Sequence, residues 1–273
     1  MPSKLAMVYD FDGTLIDGIM SDPIVKDLGL EIESFWNDCS VYAHKYGMDK
    51  ICSYMFLLLD EARKKNKALT LESMGEIGRG LELRDGLQGE DSWFERINEL
   101  CDKAGLEAEH YVVTSGLAEI VEAVPIVNEG KIARVFGSRF HYGENGAALW
   151  PAKVVNYTTK TQYLFRINKG LLDESDEDEP NRYMPPEKRP IPFENMVFIG
   201  DGFTDIPCFS LVKANGGHAI AVLGGDDDKS KKTIEGLVAD KRVDQISLKN
   251  HFEPDGILFE SIRRITDKIG ARG

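Results

Sequence analysis

A chain of 273 residues, 42% of them hydrophobic, has material for one large domain, or for a domain with a smaller insertion, around a proper core. Its formal net charge of -13, with no basic run longer than Arg63-Lys64-Lys65, argues against nucleic acid as a partner, because a polyanion would be repelled at long range. Apolar stretches such as Met55 to Leu59 fall far short of a membrane span, and nothing directs the chain out of the cytoplasm. Four cysteines (Cys39, Cys52, Cys101 and Cys208) are scattered with no paired spacing, which reads as reduced buried thiols rather than zinc ligands. The five histidines are equally dispersed, and none is assigned to catalysis.

In chain order, Leu5-Ala6-Met7-Val8 is a short apolar run followed by Tyr9-Asp10-Phe11-Asp12-Gly13-Thr14-Leu15. It reads as a buried strand whose carboxyl end turns at Gly13. Asp10 and Asp12, two apart on extended chain, can point into one crevice at the sheet edge where open α/β sheets bind ligands. Residues 17–84 then change texture. Phe35, Trp36, Cys39, Ala43 and Tyr46, and again Ile51, Tyr54, Met55, Leu58, Leu59 and Ala62, follow the three-and-four spacing of amphipathic helices. Ser34 is the expected cap of the first helix and Gly47 its end, while Arg63 to Lys67 read as the solvated carboxyl end of the second. A shorter helix is expected over Leu71 to Ile77, capped by Thr70 and ended by Gly78-Arg79-Gly80. Arg79 and Arg84, near the return to the core, are candidates for touching a charged substrate.

A βα pattern resumes at Arg84. Trp93, Phe94, Ile97, Leu100 and Cys101 form a helical stripe, and Tyr111-Val112-Val113 is a buried strand ended by Thr114-Ser115-Gly116. Two short β pieces follow, Ile132 to Phe136 and Arg139 to Tyr142, broken by Gly137. A helix from about Thr158, with Thr158 or Thr159 as cap, carries Leu164 and Ile167 inward. Lys160 falls in its first turn, where the positive helix end disfavours a cation, so a negative group should compensate it; Lys153 and Lys169 are the alternatives. Residues 173–179 hold six carboxylates in seven positions and read as an exposed, partly disordered loop in which repulsion and solvation outweigh metal binding. Met196-Val197-Phe198-Ile199 is the next buried strand, ending in Gly200-Asp201-Gly202-Phe203-Thr204-Asp205. Strands are expected at Ala219 to Val222 and Asp244 to Leu248, and a closing helix from Ile257 to Ile269.

Asp10-Phe11-Asp12-Gly13-Thr14-Leu15 resembles the first signature of the haloacid dehalogenase superfamily. Thr114 or Ser115 at the next strand tip, Lys160, and Gly200-Asp201 with Asp205 are similar to the second, third and fourth, in the same order. The helical insertion after the first signature is similar to that of the phosphoserine-phosphatase-like branch. The resemblance implies an α/β fold, with a three-layer Rossmann-like parallel sheet core over residues 1–16 and 85–273 and an inserted α-helical cap domain over residues 17–84. It implies a cytoplasmic, magnesium-dependent phosphatase acting on a small phosphorylated metabolite. Asp10 would be the nucleophile, forming an aspartyl phosphate, and Asp12 the acid and base. Thr114, Ser115, Gly116 and Lys160 would hold the phosphate, with Thr114 preferred as the motif hydroxyl. Asp10, Asp12 through its backbone carbonyl, Asp201 and Asp205 would serve the metal. An acid at the position of Asp12 fits phosphatases and mutases; transport ATPases carry Thr there, and the dehalogenases lack this carboxylate. A phosphomutase is the alternative, and a non-catalytic binding protein is disfavoured because every chemical position is filled.

Overall fold

A computed structural model describes residues 2–176 and 178–272, so Glu177 of the acidic run lies outside the described residues. Seven strands form one sheet in the order β4-β3-β2-β1-β5-β6-β7: β1 Ser3–Tyr9, β2 Leu106–Leu117, β3 Arg134–Tyr142, β4 Ala148–Lys153, β5 Met196–Gly200, β6 His218–Val222 and β7 Gln245–Ser247. All neighbours run parallel except β3 and β4. β1 is central, and its alternation is two-sided. Leu5, Met7 and Tyr9 join one apolar cluster while Ala6 and Val8 join the other, as successive side chains of a strand must when both faces are covered.

The first cluster is completed by α5 Trp93–Lys103 and α11 Ile257–Gly270, and the second by α8 Lys160–Lys169, α9 Ile206–Ala214 and α10 Asp228–Ala239. Two single-turn helices, α6 Ala118–Val121 and α7 Pro125–Asn128, follow β2. Between β1 and α5 the chain is helical: α1 Asp22–Asp27, α2 Ile32–Tyr46, α3 Lys50–Lys64 and α4 Leu71–Gly80. This segment leaves and returns through paired backbone, with Ile16 bridged to Leu83 and the Arg84 amide donating to Leu15 O at 2.9 Å. Among the described residues, no helix is long and apolar enough to cross a membrane.

Several sequence expectations change in detail. α2 starts earlier than expected, and Glu31, not Ser34, is its cap: the Glu31 carboxylate accepts from the Ser34 amide. Thr70 does cap α4, in a reciprocal box with Ser73. α4 continues through Gly78 to Gly80, because Gly78 seats the helix on α6. A Cβ there would lie 2.1 Å from Ile120 O. β3 is one strand rather than two pieces, running through Gly137. The acidic run is anchored at its backbone, since Arg166 donates to the carbonyls of Asp173 at 2.8 Å and Asp176 at 2.9 Å, and Glu174 pairs with Lys153 at 2.6 Å.

Candidate active site

The parallel register sets β1 and β5 level, with Tyr9 opposite Ile199, so the residues that follow them, Asp10 and Asp201, emerge together at the carboxyl edge. The Asp10 amide still donates to Ile199 O at 2.8 Å, extending the pairing one residue past β1. Gly13 turns the chain away with φ of 68° and lies against Asp201; a Cβ there would come within 2.4 Å of Asp201 Oδ2. Both the left-handed backbone and the space require glycine.

Lys160, fully buried at the start of α8, reaches across beneath this edge. Its Nζ lies 2.9 Å from Asp10 Oδ1 and 2.7 Å from Asp205 Oδ1. These are the compensating charges that its first-turn position calls for. Asp10 Oδ1 also accepts from the Phe11 amide at 2.8 Å, and Asp205 Oδ2 from the Gly202 amide at 3.3 Å. Carboxylate oxygens of Asp10, Asp201 and Asp205 all lie within 4.8 Å of one another. The Asp12 carboxylate is not in that set; it turns the other way, accepting from the Met20 amide at 2.8 Å.

Electrostatically the cluster is one cation short. Burial, and then the neighbouring carboxylates, raise the pKa of both Asp201 and Asp205. Burial would pull the Lys160 ammonium down, but Asp10 and Asp205 outweigh it and hold its pKa above the ordinary value. Beyond burial, one charge imbalance acts on all three groups. Three carboxylates share one ammonium, so the ammonium is over-compensated and the acids under-compensated. A hard divalent cation bound by oxygen ligands is the group this donor set fits. Asp12, deep in the cavity but open to it, is pushed up to about 8, chiefly by burial and then by the charge of Asp10, against the opposing Met20 hydrogen bond.

The edge opens into a cavity of about 1120 Å³ whose lining includes Asp10, Asp12, Thr114, Ser115, Gly116 and Asp201. Every expected chemical residue except Lys160 and Asp205, which lie behind Asp10, therefore borders one space. Thr114 and Ser115 differ sharply. Thr114 Oγ1 accepts from the Gly116 amide at 2.9 Å, whereas Ser115 Oγ is buried with no protein partner. The helix that follows this turn is only the single turn of α6, so its dipole adds little. Lys153 and Lys169 are excluded as the site cation; the first pairs with Glu174 and the second donates to the carbonyls of Pro180 and Arg182.

Sequence reasoning missed the wall supplied by Ile19, Trp36, Ile51 and Tyr54; the spacing of Trp36, Ile51 and Tyr54 marks those three as helix-core residues. Arg79 does not line the cavity. Arg84 does, but its Nη2 is engaged by Gly13 O at 3.0 Å, Gly224 O at 2.8 Å and the Asp17 carboxylate at 2.7 Å. It binds the site's loops together rather than projecting a free charge.

Comparison with known proteins agrees with this architecture. The chain is 25% identical over 252 residues to an uncharacterized protein of Borreliella burgdorferi, covering 84% of this chain and 86% of that one. Among solved structures it resembles a haloacid dehalogenase family hydrolase from Salmonella enterica serovar Typhi, with a TM-score of 0.59 and 16% identity over 96% of this chain and 71% of that one. It also resembles a phospho-aspartyl intermediate analogue of phosphoserine phosphatase, with a TM-score of 0.52 and 19% identity over 89% and 93%, and a probable phosphoserine phosphatase from Vibrio cholerae, with a TM-score of 0.57 and 13% identity over 99% and 68%. The model of the haloacid dehalogenase-like hydrolases matches residues 7–210, which takes in both ends of the carboxylate cluster, and the chain belongs to that family of enzymes.

Proposed function

We propose that this hydrolase is a magnesium-dependent phosphatase that cleaves a small phosphomonoester through an aspartyl-phosphate intermediate on Asp10. The observation that carries the reading is the convergence of Asp10, Lys160, Asp201 and Asp205 beneath one cavity. Likeness to a phosphoserine phosphatase described with a phospho-aspartyl intermediate analogue supports it at the level of the fold.

Asp10, Asp201 and Asp205, with the Asp12 carbonyl, would hold magnesium, which when bound neutralises the cluster and polarises a phosphoryl oxygen. The chain's own residues do the rest. Lys160 and the Phe11 amide fix Asp10 Oδ1 and so direct Oδ2 toward phosphorus. The unpartnered Ser115 hydroxyl donates to a phosphoryl oxygen, with Lys160 reducing repulsion between nucleophile and ester. As the P–O bond breaks, Asp12 gives its proton to the leaving oxygen; it then takes one from the water that hydrolyses the acyl phosphate, releasing phosphate and regenerating Asp10. Residues 17–84 act as the cap that excludes bulk water, and residues 1–16 with 85–273 as the core. The unpaired cysteines fit a reducing, cytoplasmic setting.

The test is phosphate release from an aryl phosphate by the full chain. Release should require magnesium and vanish in Asp10→Asn; release that survives this substitution removes Asp10 as nucleophile.

A further inference from the structure

The carboxylate edge is one side of the cavity. The side facing it, which a leaving group would meet, comes from the helical segment and, apart from the paired Asp17 and Arg84 at its two ends, is built from uncharged side chains. Tyr54 on α3 donates through its hydroxyl to Ser115 O at 3.1 Å, so the helix is tied to the same residue whose hydroxyl lacks a partner. The indole of Trp36 on α2 packs 5.4 Å from the Tyr54 ring at 57°. Its Nε1 donates to Asp22 Oδ1 at 3.0 Å, which satisfies the only polar atom of the ring and leaves a partly exposed apolar surface at the cavity. Ile19 and Ile51 line the same wall, and Phe203, 65% exposed, borders the cavity from beyond β5.

Charge points the same way. Among the described residues, the cations lining the cavity are Arg84 and Lys249. Arg84 is engaged by backbone carbonyls and Asp17. Lys249 belongs to the exposed turn after β7, a segment that is not part of the helical wall. Asp12, Asp201 and Asp227 make the lining negative, while Asp17 and Asp226 are paired with Arg84 and Lys231. A substrate bearing a carboxylate or second phosphate on its leaving group would meet like charge, with no guanidinium or ammonium on the helical wall to offset its desolvation.

Resting on the phosphatase reading above, we propose that the leaving group is an uncharged, flat apolar body, aryl or arylalkyl, which stacks on Trp36. Esters with a second anionic group are rejected. Burying a phenyl ring is worth about 1.5–3 kcal/mol, roughly ten- to a hundredfold in kcat/KM.

Three phosphorylated alcohols of similar leaving-group reactivity test this with the full chain and magnesium: 2-phenylethyl phosphate, ethyl phosphate and O-phosphoserine. The phenylethyl ester should exceed ethyl phosphate by at least about tenfold in kcat/KM, with phosphoserine below both. In Trp36→Ala the ratio of phenylethyl to ethyl ester should collapse toward one, while Trp36→Phe, which keeps a ring and guards against misfolding, should retain most of it. Phosphoserine turned over as well as the phenylethyl ester, or a ratio unchanged in Trp36→Ala, overturns the assignment. Failure to hydrolyse all three would instead defeat the phosphatase reading. Calorimetry on Asp10→Asn then still decides the specificity, since 2-phenylethyl phosphate must bind more tightly than phosphoserine, and the reverse order refutes it.

Discussion

Thr114 and Ser115 are neighbours with the same functional group, and the fold gives them opposite situations. β2 is irregular between Val113 and Leu117, and within that irregularity Thr114 takes a backbone amide as partner while Ser115 is left with none. Ser115→Ala should therefore lower kcat/KM about ten- to a hundredfold, the worth of one hydrogen bond of about 1.5–3 kcal/mol to a charged oxygen, with an unchanged melting temperature. Thr114→Val should chiefly lower the melting temperature, by leaving the Gly116 amide unpaired; the opposite pattern would restore Thr114 as the binding hydroxyl. Asp201 allows a test that needs no substrate. Without metal, Asp201→Asn should melt above the unsubstituted chain, because one of three mutually repelling carboxylates is gone. Magnesium at a hundredfold excess over its dissociation constant should stabilise the unsubstituted chain by about 2.7 kcal/mol and the variant hardly at all. Equal responses in a thermal scan would remove Asp201 from the metal site.

Where β1, β2 and α5 meet, hydrogen bonds form a directed relay. Trp93 Nε1 donates to Tyr9 OH at 2.8 Å, Tyr9 OH lies 2.9 Å from His110 Nδ1, and His110 Nε2 lies 3.1 Å from Asn98 Oδ1. Only a neutral imidazole protonated at Nε2 satisfies every member. Burial accordingly pulls His110 down to about 3. The unfolded chain then binds the extra proton first as pH falls below about 6.5, so stability contributed by His110 is full at neutral pH and declines from there down to the folded value. Chemical unfolding between pH 7 and pH 4 should show a slope approaching about 1.4 kcal/mol per pH unit from this group, flattened in His110→Gln. A slope identical in the two proteins would show that the relay does not govern acid stability. Elements of this kind differ in how far a sequence exposes them. β1, β5 and β6 were legible because each is an apolar run cut off by Gly or Asp. β4 was not, since Trp150, 62% exposed, and Pro151 break any strand pattern. The tethering of the acidic run was hidden as well, because Arg166 binds its carbonyls and not its carboxylates. Likewise Lys160 could be picked by its position at a helix start, but the choice of Ser115 over Thr114 depends on a local strand irregularity that composition does not reveal.

At the scale of the whole molecule, the helical segment is fastened to the β3–β4 hairpin and the turn after it, as well as through its own paired exit and return. The Ala148 amide donates to Leu69 O at 2.7 Å, Thr70 bridges Ala147, and Asn156 Nδ2 donates to Asp49 Oδ2 at 2.9 Å. Because Gly143 N closes the hairpin on Ala147 O, the Ala148 amide serves the junction alone. Ala148→Pro should therefore keep the hairpin while loosening the proposed cap, seen as faster amide exchange across α3 and α4 and a raised KM. Exchange unchanged there would mean that the segment is held by its packing on α6 and not by this seam.

The central place of β1 has a consequence for how the chain comes into being. A ribosome delivers Ser3–Tyr9 before the other six strands of this sheet, yet its two neighbours are Leu106–Leu117 and Met196–Gly200. One flank of this apolar ribbon thus has no partner until most of the polypeptide has been synthesised, and pairing over so long a loop is slow. Translation stalled before β5 would release chains with a bare apolar strand edge, carrying Asp10 but neither Asp201 nor Asp205 of the carboxylate cluster.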